Sequence, residues 1–345
     1  MASGKEFKAA FKKAGAWGTP VAVGSADALL LTSEKLVKSV EHLPDDSAGQ
    51  AFHAQRDAGL ITCSGDISAY LRYQGLETLL AMAMGAAGEP SLAGMTSAYA
   101  HALRLADDAD GLFGTLALYK GLSCHEYAGC KVDGFSLEGE AGQPLSVTFN
   151  LICDDMAINA SGGVNTAAAL AALAALPAGN RVLFRQGAFR LNDAAGPALS
   201  AADAIHPNRF SLSFKRGLKG DYLAGGEDKI AEPTAESFPE VSLSLEFPTY
   251  TSDTYLSDLG SDARKKLSIV FSGDEIESGY AYQLELLIPH LVITNAEASV
   301  DKAGKIAHPV TCSLLAAAAE REGMAGISAP FALNLINARS SDPLA

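Results

Sequence analysis

The chain has 345 residues, of which 48% are hydrophobic and 19% are charged, and its formal net charge is −14. This is the composition of a folded protein, and the length suggests about two domains. The acidic balance argues against a protein that grips nucleic acid through its phosphates, because such a protein needs clustered Lys and Arg.

The N-terminus shows no apolar core or cleavage site of a signal peptide. The longest apolar stretch, Ala167–Leu176, is about half the length of a membrane span. We therefore expect synthesis in the cytoplasm and no membrane partner. Five Cys are few and odd in number, so free and mostly buried thiols are predicted instead of a disulfide framework.

In the first part of the chain, strand-forming runs alternate with turn-rich segments. Gln74–Gly85 is predicted to be a helix, because its leucines fall on one face and Gly85 suits a C-terminal cap. The polar stretch from Leu43 to Gly49 is interpreted as an extended loop or arm. The predicted strands are Ala28–Ser33, Gly65–Tyr73, Tyr99–Leu105, Gly114–Lys120, His125–Leu137 and Leu145–Ile152, with a turn at Gly139–Pro144.

Small residues dominate from Asp154 to Pro177, which indicates a linker followed by a helix that Pro177 ends. A third helix is predicted at Thr251–Gly260. The strands predicted beyond the linker are Phe210–Phe214, Val241–Phe247, Leu267–Phe271, two within Tyr280–Thr294 around Pro289, and Pro309–Leu315 as the last strong one.

The order of elements in the first part returns in the second. Asp66–Gly85 and Val241–Gly260 align without a gap, and both give strand, turn, short helix and glycine. The predicted fold is mainly β with a few helices, as two tandem β-sandwiches or open barrels, each flanked by a short helix. The first domain is placed at residues 1–155, and a linker helix with the second domain at 156–345. The alternative is two unrelated β-rich domains that share an order of elements.

Two clusters contain residues that can bind a metal ion, but their spacing does not match that of a metal site. Cys124, His125 and Cys130 lack a fourth ligand and a second cluster, so buried thiols near a surface His are the better interpretation. The stretch Asp107–Gly111 resembles a calcium loop, but alanines stand at its first and last ligand positions, so a solvated turn is predicted.

The sequence contains no phosphate-binding or dinucleotide-binding glycine motif, no zinc-protease motif and no nucleophile elbow. Its seven His are scattered singly. We therefore predict no catalytic residue, no cofactor and no metal site, and a structural or binding protein in preference to an enzyme.

Five segments carry a resemblance to a known family. The segment Lys13–Val21 resembles the opening of the phage tail tube proteins, the major tail proteins of long-tailed phages, and Ser68–Gly85 is similar to their central strand and helix. The strongest likeness is His125–Gly142, with the family's pattern of Tyr, Gly-Cys and Val followed by a turn. Phe271–Gly273 with Tyr282–Pro289 resembles the C-terminal half. The likeness is weakest over residues 157–199.

The resemblance implies a virion protein of a long, non-contractile tail that polymerises into stacked rings around a channel for DNA. It implies no catalytic residues. The expected partners are the chain itself and other tail proteins such as the tape measure, terminator and distal tail proteins, while DNA passes without specific binding. The alternatives are a tail terminator, sheath or decoration protein, or a carbohydrate-binding or adhesin module.

Duplication predicts rings of three chains with pseudo-sixfold symmetry, with hexameric rings as the alternative. The long arms Glu41–Phe52 and Gly217–Glu232 suit contacts between rings, and mobile surface loops are the competing interpretation. The charge predicts a channel wall of net negative potential.

Overall fold

A computed structural model gives the fold and describes residues 3–49, 51–53, 55–159, 163–174, 180–225, 228–300 and 303–345. The elements of the first part are β1 Lys8–Lys13, β2 Ala28–Leu29, β3 Ser33–Glu34, β4 Val37–Pro44, β5 Arg56–Tyr70, α1 Glu77–Met84, β6 Gly85–Ala87, β7 Ser91–Leu92, β8 Tyr99–Leu105, β9 Gly114–Tyr119, β10 Cys124–Glu140, β11 Ser146–Cys153 and β12 Asp155–Asn159.

The elements of the second part are α2 Ala167–Ala171, β13 Gly187–Asp193, β14 Ala204–Ile205, β15 Arg209–Lys215, β16 Leu218–Lys219, β17 Thr234–Ala235, β18 Glu240–Phe247, α3 Thr254–Gly260, β19 Arg264–Glu277, β20 Tyr280–Asn295, β21 His308–Leu314 and β22 Ala332–Asn337. The predicted mainly β fold with a few helices is confirmed.

Eight strands form a central antiparallel sheet. Their order is β4, β5, β11, β10, β15, β18, β21 and β20, and β3 also pairs with β5. The first four strands come from the first part of the chain and the last four from the second. The ladder between β10 and β15 is therefore the place where the two parts join.

The long strands β10 and β20 leave the central sheet in their N-terminal halves and enter two outer sheets. One has the order β2, β1, β9, β10 and β12, and the other has the order β14, β13, β19, β20 and β22. Strand β8 pairs with β22 and ties the first part to the second outer sheet. Among the described strands the pairings never return to their start, so the sheets are open.

Buried and outward-facing residues alternate along the strands of the central sheet, so that one face of the sheet packs into the core. In β11, Val147, Phe149 and Leu151 are buried, while the residues between them face outward. The inward side chains join those of the outer sheets and of α1 in one hydrophobic cluster that spans both parts of the chain.

The helix predicted before Gly85 is confirmed as α1, and Gly85 caps it with a left-handed backbone (φ 88°). Helix α3 lies within the predicted range. The linker helix spans only Ala167–Ala171, and Pro177 lies outside the described residues.

The prediction of two strands around Pro289 was wrong, because β20 runs through this residue as one strand. Its ladder with β19 is irregular at this point. Lys265 lies opposite Leu291 and Leu267 opposite Ile288, so one residue of β19 faces two of β20. A β-bulge of this kind leaves a position without a ladder hydrogen bond, and it therefore accommodates a proline, which has no N–H to donate.

Other elements were missed or are longer than predicted. Strand β5 begins at Arg56, nine residues before the predicted start at Gly65, and it pairs with β4, so the predicted loop after Leu43 is the end of a two-stranded hairpin. Strands β1, β13 and β22 were not predicted. Each is short and mixes buried with polar residues, so its pattern does not stand out from its surroundings.

Matching features recur in the two parts of the chain. The amide of Gly24 donates to Asp27 before β2, and the amide of Ser200 donates to Asp203 before β14, each at 2.7 Å. Two clefts of about 510 and 530 Å3 lie beside these turns. The division at residue 155 stays a prediction.

The gapless alignment of the two parts is wrong in its register. The ladders place Asp66 opposite Asn150 and Ser244 opposite Thr311. Asn150 and Thr311 are equivalent, because the pairing of β11 with β10 matches that of β21 with β20 after a shift of 161 residues. Asp66 therefore matches Ser244 and not Val241. The predicted alignment superposes Gly85 on Gly260. It therefore does not show that the two parts differ by a few residues in the length between the strand and the end of the helix.

Candidate assembly surface

One surface of the central sheet carries short polar side chains, because each strand buries alternate residues and presents the others here. We call this surface the hydroxyl face. It comprises Ser64, Asp66 and Ser68 of β5, Ser146, Thr148 and Asn150 of β11, Ser136, Glu138 and Glu140 of β10, Arg209, Ser211, Ser213 and Lys215 of β15, Glu240, Ser242, Ser244 and Glu246 of β18, and Thr311 and Ser313 of β21.

A row of hydroxyl groups crosses this face from strand to strand. The oxygens of Ser68 and Thr148 lie 2.9 Å apart and form a hydrogen bond. The residues of the row lie opposite one another in turn, in the order Ser68, Thr148, Ser136, Ser213, Ser242 and Ser313. These six residues offer neutral hydrogen-bonding groups, and none of them has an aromatic ring on which a base could stack.

Charges on the hydroxyl face lie mostly towards the strand ends, and carboxylates outnumber cations. Arg209 stands between Glu140 and Glu246 on the neighbouring strands, and Lys215 stands opposite Glu240. Both cations of the face thus have a carboxylate across the ladder, which weakens their attraction for a phosphate.

The ladder between Gly134–Glu140 of β10 and Arg209–Lys215 of β15 is called the seam. Seven residue pairs form it. On its core side, Phe135 and Phe214 pack with ring centroids 5.7 Å apart. A Cβ atom on Gly134 would lie 2.2 Å from the Phe214 carbonyl oxygen, so the close approach of the strands requires glycine there.

Arg216 follows the seam and reaches into the first part of the chain. It is only 2% exposed, and its guanidinium donates to the carbonyl oxygens of Ala83 at 3.1 Å, Met84 at 2.7 Å and Ala106 at 3.0 Å. Two of these acceptors are carbonyls at the end of α1 that the helix itself leaves unpaired. Burial lowers the pKa of Arg216, while nearby aspartates oppose that shift, and the group stays charged.

The predicted arm Gly217–Glu232 packs against the first part of the chain. The indole of Trp17 donates to the Ile230 carbonyl at 3.0 Å, and the hydroxyl of Tyr222 donates to the Ile61 carbonyl at 2.6 Å. The buried ammonium of Lys131 lies 2.6 Å from the Glu232 carboxylate. The described residues of this arm are therefore held within their own chain.

The hairpin of β4 and β5 carries exposed apolar side chains towards its tip. Leu43 is 48% exposed, and Phe52 beyond it is 88% exposed. Phe238, in the segment before β18, is 93% exposed. Large apolar groups that face solvent in one chain are candidates for contact with another.

A carboxylate clasp joins the tip of the β19–β20 hairpin to the first part of the chain. Glu277 accepts hydrogen bonds from the Thr96 hydroxyl at 2.7 Å and from the amides of Met95 at 2.7 Å and Thr96 at 3.1 Å. The Thr96 hydroxyl and these amides lower the pKa of Glu277 to about 2, against an ordinary value of 4.5.

We expect this clasp to weaken in acid. Because the folded carboxyl has the lower pKa, its contribution to stability is present above about pH 4.5 and is lost as the pH falls towards about 2. A carbon-13 NMR titration of the side-chain carboxyls should give Glu277 a midpoint near 2, and Thr96→Ala, which removes the hydroxyl donor, should raise that midpoint. A midpoint of Glu277 near 4.5 in the native protein would contradict the clasp.

The residues considered for chemistry do not form a centre. Cys124 and Cys130 are fully buried, and His125 is half-buried. All five Cys are free and buried, as predicted. Burial raises the pKa of Cys124 and of Cys312 to about 12, which keeps both as thiols. In the part of the chain that the structure describes, no group of three or more His, Cys, Asp or Glu could hold a metal ion.

Sequence reasoning did not single out the hydroxyl face or Arg216. The alternation of Ser with Leu in β15 and β18 is a visible local signal, but the rows depend on the register of strands that are distant in the chain. No local signal distinguishes Arg216 from its basic neighbours.

A family model described as phage tail tube protein matches residues 8–332. No curated protein matches the chain. None of the described helices is long and apolar enough to cross a membrane.

Proposed function

The chain belongs to the phage tail tube protein family, and we propose that it assembles into stacked rings that form the tube through which phage DNA passes. The observation that carries this proposal is the central sheet, in which two four-stranded units join edge to edge at the seam. A sheet built in this way extends by adding the same unit again, and ring closure removes the free edges.

We further propose that three chains make one ring. Each chain contributes two similar units, so three chains give six units with pseudo-sixfold symmetry, and closed cyclic symmetry suits a head-to-tail contact. Rings of six whole chains are the alternative.

The hydroxyl face is proposed to line the channel. DNA that must move quickly should meet few groups that hold phosphate, and this face presents hydroxyls and an excess of carboxylates. A narrow acidic channel also focuses a repulsive field on the DNA. We expect passage of DNA without specific binding.

Family membership places the protein in the virion tail and indicates a structural role. We propose assembly in the host cytoplasm, contacts with the tape measure, terminator and distal tail proteins, and no catalytic residue, cofactor or metal. The family assignment favours the tube over a terminator, sheath or decoration protein and over an adhesin.

Electron cryomicroscopy of the purified protein tests ring formation and ring order together. We expect tubes or rings in which three chains form each layer. Six whole chains in a layer would overturn the proposed number of chains per ring but would still agree with the proposed tube. Monomers that bind glycans would instead favour an adhesin.

A further inference from the structure

We propose that neighbouring chains join through a second copy of the seam, in which Asn295–Val300 of one chain pairs with Ser33–Ser39 of the next. This inference rests on the proposed rings. It assigns the partner surface residue by residue, using the seam within the chain as the template.

The first edge is identified by the match between β10 and β20. Both strands carry a β-bulge next to the same ladder position, between Val132 and Gly134 in β10 and between Ile293 and Asn295 in β20. Their partners in β11 and β21 match with the same shift of 161 residues. Beyond its bulge β10 continues into the seam, so Asn295–Val300 occupies the equivalent place.

The second edge is identified by the match between β15 and the β3–β4 segment. Phe210 pairs with Leu245 as Glu34 pairs with Ile67, and Phe214 pairs with Val241 as Lys38 pairs with Cys63. A constant shift of 176 residues relates the two segments. It also places Leu36 at the position of Leu212, and both are buried.

Both edges are open in the single chain. Among the described residues, Ser33–Ser39 has ladder partners only in β5, and residues 296–300 have none. Val37 is 63% exposed and Val300 is 70% exposed. An open edge with exposed apolar residues is a template for another strand, and rings of one chain supply a strand of matching geometry.

The template fixes the register. Ser136 lies opposite Ser213 in the seam, which places Glu297 opposite Val37 of the next chain. Glu138 lies opposite Ser211, which places Ser299 opposite Lys35. Glu297 then lies diagonal to Lys35, so the new ladder gains an attraction between opposite charges.

Paired cysteines test this register. Val37→Cys with Glu297→Cys puts two thiols on the same face of the proposed ladder, at a separation that a disulfide can span. Val37→Cys with Ala298→Cys is the matched control, because residue 298 points to the other face. The native Cys are all buried, so the introduced thiols should react first.

After oxidation with glutathione disulfide, we expect covalent oligomers of the first variant that end at the trimer in non-reducing electrophoresis. The control should stay largely monomeric. Lys35→Cys with Ser299→Cys should behave like the first variant and repeats the test two residues along.

The outcomes separate this inference from the proposed function. Rings in the microscope without cross-linking of either variant would overturn the second seam and leave the tube intact. Equal cross-linking of the control would overturn the register. Absence of both rings and cross-links would overturn the seam together with the tube.

Discussion

Replacement of Arg216 by alanine is expected to lower the free energy of unfolding by about 3–5 kcal/mol, the cost typical of breaking a buried charged contact. The guanidinium is the donor to three carbonyl oxygens, at Ala83, Met84 and Ala106. Without it, the Ala83 and Ala106 oxygens lose this donor in a site from which water is largely excluded, while the Met84 oxygen keeps the Ala106 amide at 2.8 Å. Each buried acceptor that is left unsatisfied is costly.

The electrostatics of the site act in the same direction. The C-terminal end of a helix carries partial negative charge, and Arg216 places a full positive charge at the C-terminal end of α1. Asp107, Asp108 and Asp133 also act on this guanidinium. Removal of the cation therefore takes away a favourable interaction with each of these negative groups.

Two controls make the result specific. Lys215→Ala removes an exposed cation one residue away and should change stability by only about 0.5 kcal/mol. Arg216→Lys keeps the charge, but an ammonium cannot donate to all three carbonyl oxygens as the planar guanidinium does. The stability of this variant should therefore lie between that of Arg216→Ala and that of the native protein. Denaturant unfolding measures all three. An Arg216→Ala variant as stable as Lys215→Ala would contradict this role.

The fold was predictable where the signal is local. The alternation in Val147–Leu151 and the leucines before Gly85 each lie within a few neighbouring residues, and both elements are confirmed. The course of β20 through Pro289 could not be predicted, because it depends on an irregular ladder with a different strand.

The candidate site was predictable only in outline. The order of elements indicates the repeat, but its register needs the cross-strand pairs of Asp66 and Ser244. The sequence predicts the arm Gly217–Glu232 as a contact between rings or a mobile loop, and its contacts within the chain were missed because Trp17 and Lys131 are remote in sequence. Contacts between segments that are distant in the chain produce no periodic pattern of residues in the sequence.

Two lysines placed on the hydroxyl face are expected to turn the tube into a DNA trap. Ser136 and Ser242 lie in the same hydroxyl row, with β15 between their strands, so Ser136→Lys with Ser242→Lys adds two positive charges without placing them directly opposite each other. Each phosphate neutralised releases counterions, and the affinity then falls with salt at a slope of about 0.9 per contact. We expect tubes of this variant to retain a fluorescent short duplex at low salt and to release it as salt is raised.

The native tube should retain no duplex under the same conditions, because Arg209 and Lys215 already face carboxylates across the ladder. Thr251→Lys with Ser257→Lys is the matched control, since it adds the same charge at exposed positions near α3 and away from the hydroxyl face. Retention by the control as strong as that of the first variant would mean that the hydroxyl face does not line the channel. Tight, salt-sensitive retention by the native tube would contradict the acidic wall itself, because a wall that holds phosphates would slow the DNA it has to pass.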